Sequence, residues 1–247
     1  MKKILNCLIF ACITAALLCL TVGTVSAKQY PLPPFDPANF DSPQDNIWLP
    51  MALGDTHVYL TETEDEVVLD EMTDTYDTKL ILGVTCTVVR DVEWIYVTEM
   101  DTWFITEETD DWYAWDNFGN VWYFGEATVK HLYDEDWNPA GDSTEGSWEA
   151  GVDGAEPGIL MLAHPRPGIS YRQEYYEDEA EDMAKVLRLN ARVSVEYGDF
   201  GHCLVTKEWT PLEPGVIEHK YYAPGVGLVF IEELKGKTVK VELIDIY

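Results

Sequence analysis

The sequence predicts a mainly β protein, an antiparallel sheet curved into a half-barrel or a sandwich, with little helix. Three observations lead to this prediction. Short segments rich in β-branched and aromatic residues recur along the chain, Gly, Pro, Asn or Asp separates most of them, and helical periodicity is nearly absent. The 247 residues are enough for one large β domain with a substantial core.

The first 27 residues are typical of a secretory signal peptide. Lys2 and Lys3 precede an apolar run, and the small residues Val25, Ser26 and Ala27 match a cleavage site after Ala27. A retained membrane anchor and a lipoprotein modified at Cys19 are the alternatives. Residues 28–46 form a Pro-rich arm or linker, and residues 47–247 are predicted to form a single β domain with no later transmembrane segment. We therefore expect a periplasmic or extracellular protein.

The strands follow one another at short, regular spacing. Their sequences are THVYLTET, KLILGVTCTVVRDVEWIYV, DDWYAWD, NVWYFGE, ISYRQEYY, AKVLRLNARVSVEY, HCLVTKEWT, VIEHKYYA, GLVFIEEL and TVKVELIDIY. The one helix candidate covers residues 176–189. Its composition suits a helix, but the alternation that starts at Met183 favours a loop followed by a strand.

An aromatic hairpin is predicted between Asp110 and Glu126. Alternation places Tyr113 and Trp115 on one face of the first strand and Trp122 and Phe124 on one face of the second. With the turn at residues 117–120, the two pairs can meet across the hairpin. Residues 117–120 have turn chemistry, and Asp116 is expected to support that turn. The four aromatic side chains either fill a core or line an open cleft that binds an apolar ligand or a sugar.

The net charge of −29 is strongly acidic. The predicted signal peptide contains two of the 16 basic residues and none of the 45 acidic ones, so the chain that remains after its cleavage has an even more negative net charge. This field excludes nucleic acid and anionic lipid surfaces as partners and attracts cations. Two acidic runs, Glu62–Asp77 and Glu174–Asp182, are expected to be solvated loops or protected edge strands, with weak cation binding or an ionic partner contact as the alternative.

One loop has oxygen ligands at calcium-loop spacing. Five side chains occupy positions 1, 3, 5, 9 and 12 of that loop: Asp134, Asp136, Asn138, Asp142 and Glu145. Pro139 replaces the glycine that an EF-hand needs, so an EF-hand is rejected. An irregular Ca²⁺ loop and a plain polar connection remain open, and no other cofactor is indicated.

Two cysteines remain after the leader, Cys86 and Cys203, and a disulfide between them is possible in an exported protein; two buried free thiols are the alternative. The sequence contains no nucleophile turn, phosphate-binding glycine loop or His-based metal motif, which argues against an enzyme.

The C-terminal half carries a distinctive ending, YYAPGVGLV at Tyr221–Val229, preceded by Val195, Gly198 and Phe200 in a V-x-x-G-x-F pattern. These residues resemble a group of exported bacterial proteins of uncharacterised function. The ending is also similar to that of lipoprotein-carrier (LolA-like) half-barrels, which implies a curved sheet. In the turn itself, Pro224 removes a ladder donor and Gly225 and Gly227 allow positive φ.

These observations favour an exported, non-enzymatic protein that binds an apolar or amphipathic ligand, a lipid or a sugar, on an aromatic-lined β face. A surface protein with a structural or protein-interaction role, and a weak calcium-binding acidic protein, are the alternatives.

Overall fold

The computed structural model describes residues 34–64, 66–235 and 237–247. The signal peptide and the start of the arm lie outside the described residues. One short 3-10 helix covers Pro37–Phe40. Fifteen strands follow in chain order: β1 Thr56–Glu62, β2 Val67–Ile81, β3 Val84–Val97, β4 Thr102–Trp115, β5 Val121–Tyr133, β6 Pro139–Ser143, β7 Trp148–Glu149, β8 Glu156–Met161, β9 Ser170–Arg172, β10 Glu174–Tyr175, β11 Met183–Val195, β12 Gly198–Trp209, β13 Glu218–Ala223, β14 Gly227–Lys235 and β15 Lys237–Ile246.

The strands form one antiparallel sheet that is not closed, as the sequence predicts. The order is β10-β8-β5-β4-β3-β2-β1-β15-β14-β13-β12-β11-β9, and β6 and β7 also pair with β5. The two end strands, β9 and β10, are separated in the chain by Gln173 alone. Since β9 bonds to β11 and β10 bonds to β8, the sheet curves back on itself and encloses an interior.

Strand alternation gives this sheet a concave and a convex face. In the pairing of neighbouring strands, Asp70 of β2 lies opposite Tyr59 of β1 on one side and opposite Glu93 of β3 on the other. Asp111 of β4 lies opposite Glu126 of β5. Side chains in these positions point to the same side as their partners. They belong to the concave face, because residues of β2, β3, β4, β5, β12, β13 and β14 line a single cavity there.

The arm covers part of the convex face. Phe35 and Phe40 contact the rings of Trp122 and Phe124 edge-on, with ring centroids 5.7–6.0 Å apart. Such aromatic pairs add to the stabilisation that their buried area provides. The described part of the arm is therefore laid across the sheet surface.

The segment after the arm closes one end of the interior. Asn46 is buried; its side chain donates to the Gly119 carbonyl and accepts from the Trp48 amide. The Leu49 carbonyl accepts from Trp115 Nε1 at 3.0 Å, and the Ile47 carbonyl accepts from the Gly225 amide at 2.7 Å. The segment is thus attached to both the aromatic hairpin and the turn of the C-terminal motif.

Local predictions for the turns are confirmed. Gly225 and Gly227 have φ of 79° and 104°, values that glycine adopts readily. The buried Asp116 carboxylate accepts from the Phe118 and Asn120 amides, both at 2.8 Å, and from Trp122 Nε1 at 2.9 Å. The region with mixed helix and strand signals is a loop that becomes β11 at Met183.

Candidate functional site

The main feature of the concave face is a cavity of about 220 Å³. It lies between the β2–β5 side of the sheet and the β12–β14 side. Eleven carboxyl groups and one amine, that of Lys220, are among its lining groups. The acidic residues are Asp91, Glu107, Asp111, Glu126, Glu174, Glu179, Asp182, Glu208, Glu213, Glu218 and Glu233.

A pair of aspartates lies on the β2–β3 wall of this cavity. Asp70 is 2% exposed, and within residues 34–64, 66–235 and 237–247 no N–H or hydroxyl group donates to either of its carboxylate oxygens. Its one hydrogen-bonding neighbour is the Asp91 carboxyl. Two carboxyl groups can share a hydrogen bond only when one of them carries a proton. Burial, followed by the charges of neighbouring acids, raises the pKa of Asp70 to about 7.

A second acidic group lies on the β4–β5 wall. The Tyr123 hydroxyl donates to Asp111 Oδ1 at 2.6 Å and approaches Glu126 Oε2 at 3.2 Å, so one hydroxyl bridges two carboxyl groups. Burial and then the Asp91 charge raise the pKa of Asp111 to about 8. The pKa of Glu174, at the end of this wall, is raised by burial and then by Asp182. The cavity therefore retains protons at neutral pH.

The opposite wall contains the one basic side chain. Lys220 Nζ lies 3.1 Å from Glu208 Oε2 and 3.2 Å from Glu218 Oε2. Glu208 Oε1 also accepts from the Thr206 and Tyr222 hydroxyls. Burial lowers the pKa of Lys220, but the charges of Glu208 and Glu218 outweigh it and hold the amine in its charged form. Lys220 thus has two carboxylate counter-ions.

An apolar chamber of about 110 Å³ adjoins this acidic cavity. The two share the wall residues Met72, Tyr113, Leu160 and Lys220. Most other side chains of the chamber are aromatic or aliphatic, namely Leu49, Pro50, Tyr59, Val89, Trp115, Tyr222, Val226 and Leu228. The interior is consequently amphipathic, with carboxyl groups at one end and rings and aliphatic groups at the other.

The structure separates the four aromatic residues that the sequence suggested as a ligand site. Tyr113 and Trp115 lie on the concave face and line the chamber. The prediction that Trp122 and Phe124 meet them across the hairpin is wrong, because Tyr113 is opposite Tyr123 and Trp115 is opposite Val121. Trp122 and Phe124 therefore point to the convex face, where the arm covers them.

The segment with calcium-loop spacing, for which a plain polar connection is the alternative, contains a turn between β5 and β6. Asp134 Oδ1 accepts from the amides of Asp136 and Asn138, and Asp142 instead contacts His131 at 2.9 Å. No three His, Cys, Asp or Glu side chains in the described part of the chain are arranged to hold a metal ion. This includes the acidic residues of the turn and Glu145. The five oxygen ligands are thus not brought together.

The proposed Cys86–Cys203 disulfide is not formed. Both cysteines are buried free thiols. Cys86 lies on β3 and Cys203 on β12, and five strands separate these two in the sheet order. Burial raises the pKa of the Cys86 thiol to about 12, so this cysteine is not a nucleophile at neutral pH.

The acidic wall is the feature that sequence reasoning missed. The run from Glu62 to Asp77 is not a solvated loop or an edge strand; most of it is β2, which lies between β1 and β3, and Asp70 is buried. Glu174 is also buried and Asp182 lines the cavity, in the run expected to be solvated. The signal was the alternation of Glu107, Thr109, Asp111 and Tyr113, which is also the pattern of a solvent-facing strand surface.

Comparison with known proteins gives two similar solved structures. A protein described as exported, with a YmcC-like fold, from Bacteroides fragilis matches with a TM-score of 0.44 and 12% identity over 82% of this chain and 99% of the other. A protein described as a lipoprotein from Parabacteroides distasonis matches with a TM-score of 0.39 and 10% identity over 83% and 100%.

No protein-family model and no curated protein matches the chain. Among the described residues, no helix has the length and apolar character needed to cross a bilayer.

Proposed function

We propose that the chain is an exported, non-enzymatic protein that binds an amphipathic ligand inside its curved sheet. The observation that carries this proposal is the contact between the apolar chamber and the acidic cavity along one shared wall that includes Tyr113 and Leu160. A ligand with an apolar and a polar part would match both. The leader-like first 27 residues support export.

The chamber favours the apolar part of such a ligand. Tyr59 has its hydroxyl bonded to the Leu228 carbonyl at 3.0 Å, and Trp115 has its indole N–H bonded to the Leu49 carbonyl. Both rings therefore present apolar surface to the chamber while their polar atoms are satisfied. Each methylene group transferred there from water contributes about 0.8 kcal/mol.

Access to the interior is expected from the acidic end. Leu49, Pro50 and the Val226–Leu228 turn cover the apolar end. At the acidic end the lining includes Trp209, Leu212 and Val216, from the end of β12 and the loop that follows it. The ligand would therefore enter with its apolar part first and leave its polar part among the carboxyl groups.

A substitution that fills the chamber tests this proposal. Val89 lines the chamber, and Val92, three residues later on β3, lies opposite Glu108 on the other face. We expect Val89→Phe to weaken binding of an uncharged amphipath such as dodecanol by roughly 10-fold, because about two methylene positions are lost. Val92→Phe is the matched control and should bind as the wild type does.

Isothermal titration below the solubility limit of the alcohol measures these affinities, and thermal melting confirms that both variants fold. Equal binding by both variants, or no binding of dodecanol and related amphipaths to the wild type, would contradict the proposal.

A further inference from the structure

We infer that the ligand carries a positively charged amino group at its polar end and that Asp91 and Asp111 hold this group in the acidic cavity. This inference rests on the proposed function, because it assigns the polar end of the same ligand. It specifies an alkylammonium rather than an alcohol, a sugar or a carboxylate.

The balance of charge in the cavity favours a cation. Among the described residues the lining offers one amine, that of Lys220, against eleven carboxyl groups, and this amine already contacts Glu208 and Glu218 within 3.2 Å. An anionic head group would face carboxyl oxygens from most directions, and a like charge wherever a carboxyl group is ionised, without a free counter-ion. An ammonium group instead gains charge-assisted hydrogen bonds from groups already in place.

The Asp70–Asp91 pair is an independent observation that a donor is missing. A carboxylate as deeply buried as Asp70 ordinarily accepts hydrogen bonds from several N–H or O–H groups. In the described part of the chain no N–H or hydroxyl group donates to Asp70, and its one hydrogen-bonding neighbour, Asp91, is itself an acid that lines the cavity. An ammonium group bound to Asp91 supplies the positive charge that this pair lacks.

The position of the two aspartates matches the length of the interior. Asp91 lies on β3 two residues from Val89, which lines the apolar chamber, and Asp111 lies on β4 two residues from Tyr113, which lines both spaces. A cation at these carboxyl groups therefore leaves an attached alkyl chain pointing along the same strands into the chamber.

A metal ion is a poorer match for this cavity. The described residues contain no group of three or more His, Cys, Asp or Glu side chains with the arrangement of a metal site. The Tyr123 hydroxyl also lies between Asp111 and Glu126, 2.6 Å from Asp111 Oδ1 and 3.2 Å from Glu126 Oε2. An ammonium needs no fixed coordination shell, and it can replace the protons that the carboxyl groups share.

The test compares dodecylammonium, dodecanol and spermidine by isothermal titration at pH 7, 8 and 9 and at concentrations below micelle formation. We expect dodecylammonium to bind more tightly than dodecanol by a margin that rises with pH toward roughly 10-fold, because one charge-assisted hydrogen bond has about this effect and the carboxyl protons are displaced more easily as the pH rises. Spermidine, which carries three ammonium charges but no apolar tail, should bind more weakly than dodecylammonium. Titration in two buffers of different ionisation enthalpy should show proton release with the amine alone.

Variants locate the effect. Asp91→Asn and Asp111→Asn keep side-chain shape and hydrogen bonding but cannot become carboxylates when an amine displaces their protons, and they should abolish the preference for the amine while leaving dodecanol affinity unchanged. Asp136→Asn removes the same charge from an exposed turn and should change nothing. Circular dichroism verifies that each variant folds.

The outcomes separate the two ideas. If dodecanol binds as tightly as dodecylammonium, this inference is overturned and the proposed function stands. If an amine preference persists in both aspartate variants, the amine binds the acidic surface rather than the cavity and the inference is again overturned. If spermidine binds as tightly as dodecylammonium, or if neither dodecyl compound binds, the proposed function fails as well.

Discussion

The acidic cavity predicts an unusual dependence of stability on pH. Burial raises the pKa of Asp111 from 3.8 to about 8 and that of Asp70 to about 7. A carboxyl group whose pKa is higher in the folded chain binds its proton more tightly there. Its contribution to stability is complete below the pKa of the unfolded chain and is lost as the pH rises toward the folded value. The protein should therefore become less stable from pH 5 to pH 8.

The Asp111→Asn variant isolates one group of this cluster. The amide resembles the protonated acid in shape, and its oxygen can still accept from the Tyr123 hydroxyl, so the two proteins should be similarly stable below pH 3.8, where the acid is protonated in both the folded and the unfolded chain. Each pH unit over which only the folded chain holds the proton costs the wild type about 1.4 kcal/mol. Across three units the variant gains up to about 4 kcal/mol relative to the wild type.

Urea unfolding at pH 5, 6, 7 and 8, with free energies from linear extrapolation, measures this difference. Asp136→Asn serves as a control for the loss of one negative charge at the surface. The hydrogen bond with Glu108 raises the pKa of His131, which also titrates in this range, but that contribution is common to all three proteins and cancels. Parallel stability curves for the wild type and Asp111→Asn, or a wild type that gains stability toward pH 8, would refute the reasoning.

Three further predictions concern other parts of the fold. Asp116→Ala removes the carboxylate that accepts from the turn amides and from Trp122 Nε1, and urea unfolding should show that the free energy of unfolding falls by about 3 kcal/mol or more. The control Asp110→Ala breaks a half-exposed ion pair with Arg90 and should lower it by about 1 kcal/mol or less. Phe40→Ala should lower the free energy of unfolding by about 2 kcal/mol and expose Trp122 to acrylamide quenching. The control Phe118→Ala, at a side chain that is 65% exposed, should change neither stability nor quenching. Equal effects of the two substitutions would argue against docking of the arm. Millimolar calcium should leave the melting temperature unchanged, because the Asp134 carboxylate is already occupied by the amides of its own turn; a rise that a chelator reverses would restore the calcium loop.

The parts of this structure that follow from local chemistry could be predicted from the sequence. Asp116 supports its turn, Gly225 and Gly227 adopt positive φ, and β11 begins at Met183, all as the residue types indicate. Each depends on residues within a few positions of one another, where backbone sterics and side-chain capping dominate.

The face to which each strand segment points could not be predicted in the same way. Alternation predicts Trp122 and Phe124 beside Tyr113 and Trp115, but the turn pairs Trp115 with Val121 and Ala114 with Trp122, which places Trp122 and Phe124 on the other face. Further along the strand the chain bulges at Gly125, where φ is 122° and an added Cβ would lie 2.2 Å from the Trp148 carbonyl oxygen. The register of the β4–β5 pair also shifts between Asp111 and Tyr113. Such a shift reassigns the faces of a strand, and the glycine that permits it resembles any other glycine in the sequence.

The acids were assigned to solvent for a related reason. Alternating polar residues ordinarily mark the wet face of a sheet. Here the sheet curves back on itself, so the polar positions of β2 and β4 face its interior, and Asp70 is 2% exposed. Curvature comes from the pairing of β9 with β11 and of β10 with β8, contacts between distant segments that the local pattern does not contain.

Native mass spectrometry of the protein purified from its own cells tests the central claim most directly, namely that the interior of the curved sheet holds an amphipathic ligand. We predict a small molecule bound to the wild type and to Val92→Phe to a similar extent, and a markedly smaller bound fraction in Val89→Phe, in which part of the apolar chamber is filled. A wild type with no bound small molecule, or one retained equally by Val89→Phe, would contradict the claim.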